Sequence, residues 1–485
     1  MTKLNSSVIN NQKWQARLVF LFLLLYTFLL YLNLGRDALF DWDEGIYATL
    51  GSELLKTGNL FVSTWNQEVW FEKPPGIAWL SGLGQLIMGH NETGARLFTP
   101  LLSSLVLYNI YRIGLKLISW RGGIGAMALL AGFNLFLGRA RAVNTDMPLM
   151  LGITTTISLL LYERKPIYPA LAIFFSIWFK GLAGSLSFLI ALPLFFLQKK
   201  SYLLSFILYA LLLIVPWHLY SYLKYHSLFL DPYLHEQVIA RVTTPIEFHL
   251  ESRWFYFQYL YENLGLGVLL TSMLGAIFGL RDFLRTKKLP TLLPLWWLIL
   301  PLALFTIAKT RIFWYILPAY PALALLSARA LEGVSLGKVG KQIFSLIVPL
   351  MCLQGLILTA RSVEINKNTA ERPDRLELAY ALRKYQAPEL AVLTPPEERL
   401  AEAILPASQR LSSSFRYGGM PSVAFYFDRK VKFFYNIDEF LEYWLKEPDP
   451  LVLIHSVDLG YVSNYTIEAR SGAYLGIRKG AYALR

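Results

Sequence analysis

Up to about residue 360 the chain alternates long apolar runs with short clusters of charge. A membrane-spanning helix needs about 20 apolar residues, fewer when flanking side chains snorkel. Runs of that kind predict crossings at Leu18–Leu34, Leu97–Ile118, Ile124–Leu137, Met147–Leu161, Ile167–Phe179, Leu182–Leu197, Leu203–Tyr222, Leu264–Leu280, Leu292–Ala308, Ile312–Leu331 and Ile343–Ala360. The 14-residue stretch GIAWLSGLGQLIMG, Gly76–Gly89, carries four glycines and is short for a crossing. It reads as interfacial or re-entrant.

After Arg361 the pattern changes. ELAVLT, KVKFFY and LVLIHS are short runs of β type, at 389–394, 430–435 and 451–456. DRLELAYALRKY and NIDEFLEYWL have helical spacing, with Asp374 and Asn436 in capping positions. The expected fold is an all-α polytopic membrane protein of about 11–13 transmembrane helices over residues 1–360. A small C-terminal α/β domain over 361–485 follows it.

Composition supports this and narrows it. Of 485 residues, 55% are hydrophobic and 16% charged, and the mean hydropathy is +0.42. Soluble domains carry about 25% charged residues. No small-residue cleavage site follows Leu18–Leu34, so it reads as a first span that stays rather than a signal peptide. The net charge of +13 sits in short clusters between apolar runs. That is the pattern of cytoplasmic loops and headgroup contacts, and it argues against nucleic-acid binding. The single cysteine, Cys352, lies in an apolar run. An intrachain disulfide and a Cys-based metal site are thereby excluded.

With the N-terminus in the cytoplasm, every inside loop is basic: Arg121, Glu163–Lys165, Lys199–Lys200, Arg281–Lys288 and Gly337–Lys341. The outer loops, the first and longest being 35–96, then collect the remaining charges that lie close to the bilayer. Charge next to hydrocarbon is costly and marks candidate chemistry. Asp43 and Glu44 open a segment with Ile46, Leu50 and Leu54 at helical spacing and a stop at Gly58-Asn59. An acid at a helix start stays ionised and can act as a general base, or it can simply cap the helix. Lys73 precedes Pro74 and Pro75, which hold it in an extended backbone at headgroup level. Lys180 sits between two apolar runs, as at a hairpin tip, and Arg253 lies beside aromatics. With Lys309 and Arg311 they form a set of cations able to bracket a phosphate, although each alone could be a snorkelling side chain. Asp146 begins a span and could equally be its N-cap. His249, between Glu247 and Glu251, is a weak metal signal and more often a polar loop.

DWDEGIYATLGSELLKTGN, FEKPPG, NTDMPL and TRIFWYILPAYPALALL together resemble the polytopic lipid-linked-sugar glycosyltransferases of the GT-C superfamily. The nearest branch contains the bacterial aminoarabinose–lipid A transferases and the protein O-mannosyltransferases. The resemblance covers about residues 15 to 360. It implies a multi-pass protein of the bacterial inner membrane, with active site and C-terminal domain extracytoplasmic. The sugar would leave a polyprenyl-phosphate donor, most often undecaprenyl phosphate, for a lipid, protein or glycan of the envelope. By motif match Asp43 is the catalytic base and Asp146 the second acid, while Lys73, Lys180 and Arg253 hold the donor phosphate. Glu44, Tyr47, Trp70, Glu72, His249, Lys309, Arg311 and Tyr315 line the cavity. No cofactor is required; a divalent metal stays open, with Glu72 and His249 its candidate ligands. The aminoarabinose branch tends to place an Arg before the motif tyrosine, where this chain has Ile46. One phosphate contact of that branch is therefore missing, and the sugar and acceptor stay open. The competing class, a transporter or flippase of a lipid-linked sugar, calls for charges near the bilayer midplane. The apolar runs are nearly free of them, which favours an enzyme.

Overall fold

The computed structural model describes residues 6–246, 249–334, 338–365, 373–404 and 416–480. The chain divides into two compact units. The first holds Met1–Leu34, Phe98–Leu230 and Leu250–Lys367. Among its described residues, six helices are long and apolar enough to cross a membrane: Lys13–Tyr31, Ile167–Phe195, Lys200–Tyr225, Phe255–Thr286, Leu289–Ile307 and Leu346–Val363. A bent pair, Trp120–Ala131 and Asn134–Arg141, makes a seventh if counted as one span. The run expected as one crossing at Ile124–Leu137 is thus broken at Gly132-Phe133, where the axes turn by 69°. The expected crossings elsewhere are helical at Thr99–Leu117, Asp146–Leu161 and Tyr320–Val334. The run expected at Ile312–Leu331 begins instead as tight turns over Phe313–Ala319. Gly337, in the basic segment before the last span, lies outside the described residues.

Ile167–Phe195, which meets that length and composition only as one stretch, consists of two shorter helices, Ile167–Lys180 and Leu186–Phe195, and doubles back between them. Its first leg ends at Gly181, with φ 59°. The Ser187 hydroxyl lies 2.5 Å from that of Ser176, whereas eleven residues of straight helix would separate them by about 16 Å. Lys180 therefore stands at the turn of an apolar hairpin, as expected. The first span ends on a buried cation: Arg141 donates to the carbonyls of Leu30 (2.7 Å), Leu32 (3.0 Å) and Asn33 (3.2 Å). These are carbonyls a helix end leaves without partners.

The second unit holds Gly35–Leu97, Asp231–His249 and Asn368–Arg485. The helix expected after Asp43 runs Asp43–Thr57 and stops at Gly58, whose φ of 66° turns its N–H back to the Leu54 carbonyl at 2.8 Å. It packs against the short apolar helix Gly76–Met88. Their backbones nearly touch: a Cβ on Gly51 would lie 2.6 Å from the Gly82 nitrogen. Between the helices a hairpin of β1 (Ser63–Trp65) and β2 (Glu68–Trp70) turns at Asn66 and Gln67, with φ 53° and 67°.

The remaining strands form one sheet: β3 (Glu389–Leu393), β4 (Lys430–Phe434), β5 (Leu451–His455), β6 (Tyr465–Ser471) and β7 (Tyr474–Lys479), in the order β4-β3-β5-β7-β6. β4, β3 and β5 are parallel, and β7 runs antiparallel to both β5 and β6. The three runs read from sequence are β3, β4 and β5. On edge strand β4, the Asn66 side chain accepts from the Val431 N–H (2.7 Å) and donates to its carbonyl (2.6 Å). Asn436 caps helix Ile437–Lys446, accepting from the Asp438 N–H at 2.7 Å. Asp374 is not a cap: Pro373 takes that position, and the Asp374 carboxylate accepts from the Ser471 hydroxyl at 3.1 Å.

Helix Ile437–Lys446 buries Phe440, Tyr443 and Trp444 in the same core as the sheet residues Ala391, Val452 and Ile477, and leaves Leu445 73% exposed. Phe440→Ala should cost about 3–5 kcal/mol, and Leu445→Ala within about 0.5 kcal/mol. Hydrogen exchange of the β3 and β5 amides in the full chain checks this; equal protection in the two variants would contradict the packing.

Candidate functional site

In the second unit, Asp43 is the first residue of its helix and is half-buried. Trp42, not Asp43, holds the cap position, with a φ of 73° that side-chain-bearing residues rarely adopt. Glu44 turns inward. It is 3% exposed and accepts from Arg96 Nε (2.8 Å), Arg96 Nη2 (2.6 Å) and the Phe40 N–H (2.9 Å). Tyr47 lies one turn on from Asp43 and shares its face of the helix. The Lys73 ammonium stands 5.6 Å from the Tyr47 ring centre and 5.8 Å from that of Trp70, within the range in which a ring face attracts a cation. Pro74 and Pro75 follow it, both buried.

Glu72, 8% exposed, takes the Tyr417 hydroxyl on one oxygen and Gln237 Nε2, at 2.9 Å, on the other. Trp70 Nε1 donates to the same Tyr417 oxygen at 2.7 Å. Burial, and then the Glu72 carboxylate, push the Tyr417 phenol well above its ordinary range, so it stays protonated and donates. His249 also belongs to this unit and is half-buried. Of its flanking acids, Glu247 lies outside the described residues and Glu251 belongs to the first unit. Among the described residues, no group of three or more His, Cys, Asp or Glu is placed to hold a metal ion.

The other candidates fall in the first unit. Asp146 opens helix Asp146–Leu161; Thr145 holds the cap position, so Asp146 is not the N-cap. It is 2% exposed and ion-paired with both Lys180 and Arg139, whose Nε lies 3.0 Å away. Arg139 also covers the Trp314 ring, at 4.9 Å. Arg311 is buried and donates to the backbone carbonyls of Thr306, at 3.0 Å, and Glu251. Tyr315 packs against Phe305, with ring centres 5.4 Å apart, while Arg253 and Lys309 are exposed.

Arg96, Gln237, Tyr417 and the pairing role of Arg139 were not legible in the motifs. Tyr417 had a signal: it precedes Gly418 and Gly419, both left-handed at φ 62° and 69°. A Cβ on Gly418 would fall 1.9 Å from the Phe433 ring. Adjacent glycines of this kind mark a turn that only glycine can make.

A second ionic cluster ties helix Asp43–Thr57 to the C-terminal part of the same unit. Asp428 meets Lys56 (2.6 Å), Arg383 (2.8 Å), Ser52 (3.2 Å) and His90 (3.7 Å). Burial would raise its carboxyl. The Lys56 hydrogen bond and the charges of His90, Lys56 and Arg383 overcome that and hold it below its ordinary 3.8. The unfolded chain therefore takes up the proton first. The cluster's contribution is full above about pH 4 and is lost as the pH falls through the depressed value. Asp428→Asn should lower thermal stability at neutral pH and flatten the acid loss below about pH 4. Thermal unfolding of both forms across pH 3 to 7 tests this, and parallel curves would contradict it.

Residues 72–220 match the family model described as dolichyl-phosphate-mannose-protein mannosyltransferase. An uncharacterized protein of Aquifex aeolicus (strain VF5) is 30% identical over 66% of this chain and 65% of its own length. The undecaprenyl phosphate-alpha-4-amino-4-deoxy-L-arabinose arabinosyl transferase of Pseudomonas savastanoi pv. phaseolicola is 30% identical over 64% of this chain and 60% of its own. The chain thus spans less than two thirds of these relatives. Among solved structures, ArnT from Cupriavidus metallidurans bound to undecaprenyl phosphate superposes with a TM-score of 0.72 at 16% identity, covering 96% of this chain and 98% of that one.

Proposed function

We propose that this chain, which has the GT-C fold and resembles the branch of the aminoarabinose–lipid A transferases and protein O-mannosyltransferases, is a lipid-linked-sugar glycosyltransferase. It takes a sugar from a polyprenyl-phosphate donor, undecaprenyl phosphate being the carrier, and gives it to a lipid, protein or glycan of the bacterial envelope. The chemistry takes place on the outer side of the inner membrane, where the C-terminal α/β domain also lies.

One observation carries the reading most directly. Lys73 is held against the rings of Trp70 and of Tyr47, and Tyr47 shares a helix face with Asp43. A cation for a phosphate and a half-buried carboxylate for a proton are thus mounted on one rigid assembly. In the reaction, the acceptor O–H or N–H gives its proton to Asp43 as the acceptor atom bonds the anomeric carbon. The bond from that carbon to the phosphate oxygen breaks, and the polyprenyl phosphate leaves with the electron pair. Lys73 compensates the charge on the departing phosphate, a role for which Lys180 and Arg253 of the first unit are candidates by motif match. Asp146 orients its two partners, Lys180 and Arg139, and helps place sugar or acceptor. By motif match the further candidate residues are Glu44, Tyr47, Trp70, Glu72 and His249 in the second unit and Lys309, Arg311 and Tyr315 in the first.

Asp43→Asn should reduce transfer by about a hundredfold or more while donor still binds. Lys73→Ala should raise the KM for donor and slow turnover. Label transfer from a panel of polyprenyl-phosphate sugars, with the protein in nanodiscs and envelope lipids and proteins as acceptors, measures both. Near-normal turnover in Asp43→Asn would remove Asp43 as the base.

A further inference from the structure

We infer that Tyr417, in the C-terminal part of the chain, is a positioning residue for the donor phosphate, acting through Trp70, whose ring stands beside the Lys73 ammonium, and Glu72, the residue before Lys73. The inference rests on the function proposed above and gives the C-terminal domain a part in it. Trp70 lies three positions and Glu72 one position before Lys73 in the chain. Both are fixed by the same phenol oxygen, which accepts from Trp70 Nε1 at 2.7 Å and donates to Glu72 Oε1. One hydroxyl thus sets the plane of the ring beside which the ammonium stands and the direction of the neighbouring carboxylate.

The phenol ring reaches the acid side as well. It meets Trp42 edge-on at 6.1 Å, and Trp42, with its left-handed backbone, is the residue that delivers Asp43 into its helix. On another side the ring stands against Trp65, at 4.7 Å. Tyr417 itself is 3% exposed and anchored by the left-handed glycines that follow it. A buried aromatic with a single hydroxyl, used twice, is poorly explained as core packing. Phenylalanine would fill the same space and make the same ring contacts, yet it would leave Trp70 Nε1 and Glu72 Oε1 buried without this partner. A buried polar atom that loses its partner turns to find another. Here that turning displaces the ring beside the Lys73 ammonium and the carboxylate one residue before it.

The test uses the full chain in nanodiscs and undecaprenyl phosphate as the probe, its affinity measured for wild type, Tyr417→Phe, Tyr443→Phe, Glu72→Gln and the double variant Tyr417→Phe/Glu72→Gln. Tyr443→Phe is the structural control. It removes a hydroxyl of the C-terminal core that is bonded to Glu389 at 3.0 Å, rather than to Trp70 or Glu72. The expected result is affinity weakened about tenfold in Tyr417→Phe, unchanged in Tyr443→Phe, and weakened in the double variant by less than the product of the two single effects. Wild-type affinity in Tyr417→Phe would overturn the inference and leave the proposed function standing. Equal weakening in Tyr443→Phe would also overturn it, since any loosening of the domain would then suffice. A wild-type chain that does not bind the carrier would overturn both.

Discussion

The bidentate pair of Glu44 and Arg96 closes the long segment that contains most of the candidate chemistry of the second unit. Arg96 lies 52 residues after Glu44 and also donates to the carbonyls of Asp37 and Ala38, each at 2.8 Å. Its guanidinium therefore fixes the entry into helix Asp43–Thr57 and the end of the segment together. Burying two charges is costly unless their hydrogen-bonding capacity is met. Here it is met by each other, by two carbonyls and by the Phe40 N–H. With Glu44 locked inward, Asp43, one residue earlier and half-exposed, is presented at the start of the helix.

The same constraint recurs in the first unit. Asp146 is buried as deeply as Glu44 and is matched by Lys180 from the apolar hairpin and Arg139 from the helix before it. One carboxylate against two cations leaves an excess positive charge in a low-dielectric setting, where each charge is felt strongly. Arg141 and Arg311 are spent differently, on backbone carbonyls at helix ends. Arginine suits such positions because its planar fork offers several fixed donors.

What the sequence made legible was local. The helix after Asp43 announced itself by apolar spacing and a Gly stop, the short strands β3, β4 and β5 by their β-branched and aromatic runs, and the Asn436 cap by its place before an amphipathic helix. The hairpin of β6 and β7 did not, because its residues alternate weakly and its outer strand buries none of its residues. Asp146 and Asp374 looked like caps because acids favour that position; the chain places each one residue later, where the side chain answers to a distant partner. Partners were the illegible part. Tyr417 meets Glu72 across 345 residues, Arg375 meets Asp41 across 334, and Asn66 meets Val431 across 365. No spacing rule connects residues so far apart; only the folded chain does.

The Asn66 contact has a consequence for how copies of this protein meet one another. A strand at the rim of a sheet offers unpaired N–H and carbonyl groups to any extended segment that passes, and a crowded bilayer surface brings such segments close. At β4 a side-chain amide already occupies the Val431 N–H and carbonyl. A neighbouring chain that tried to add itself as a further strand would have to displace Asn66 first. The hairpin turn that carries this amide thus guards the β4 rim of the sheet against an added strand, with a single residue.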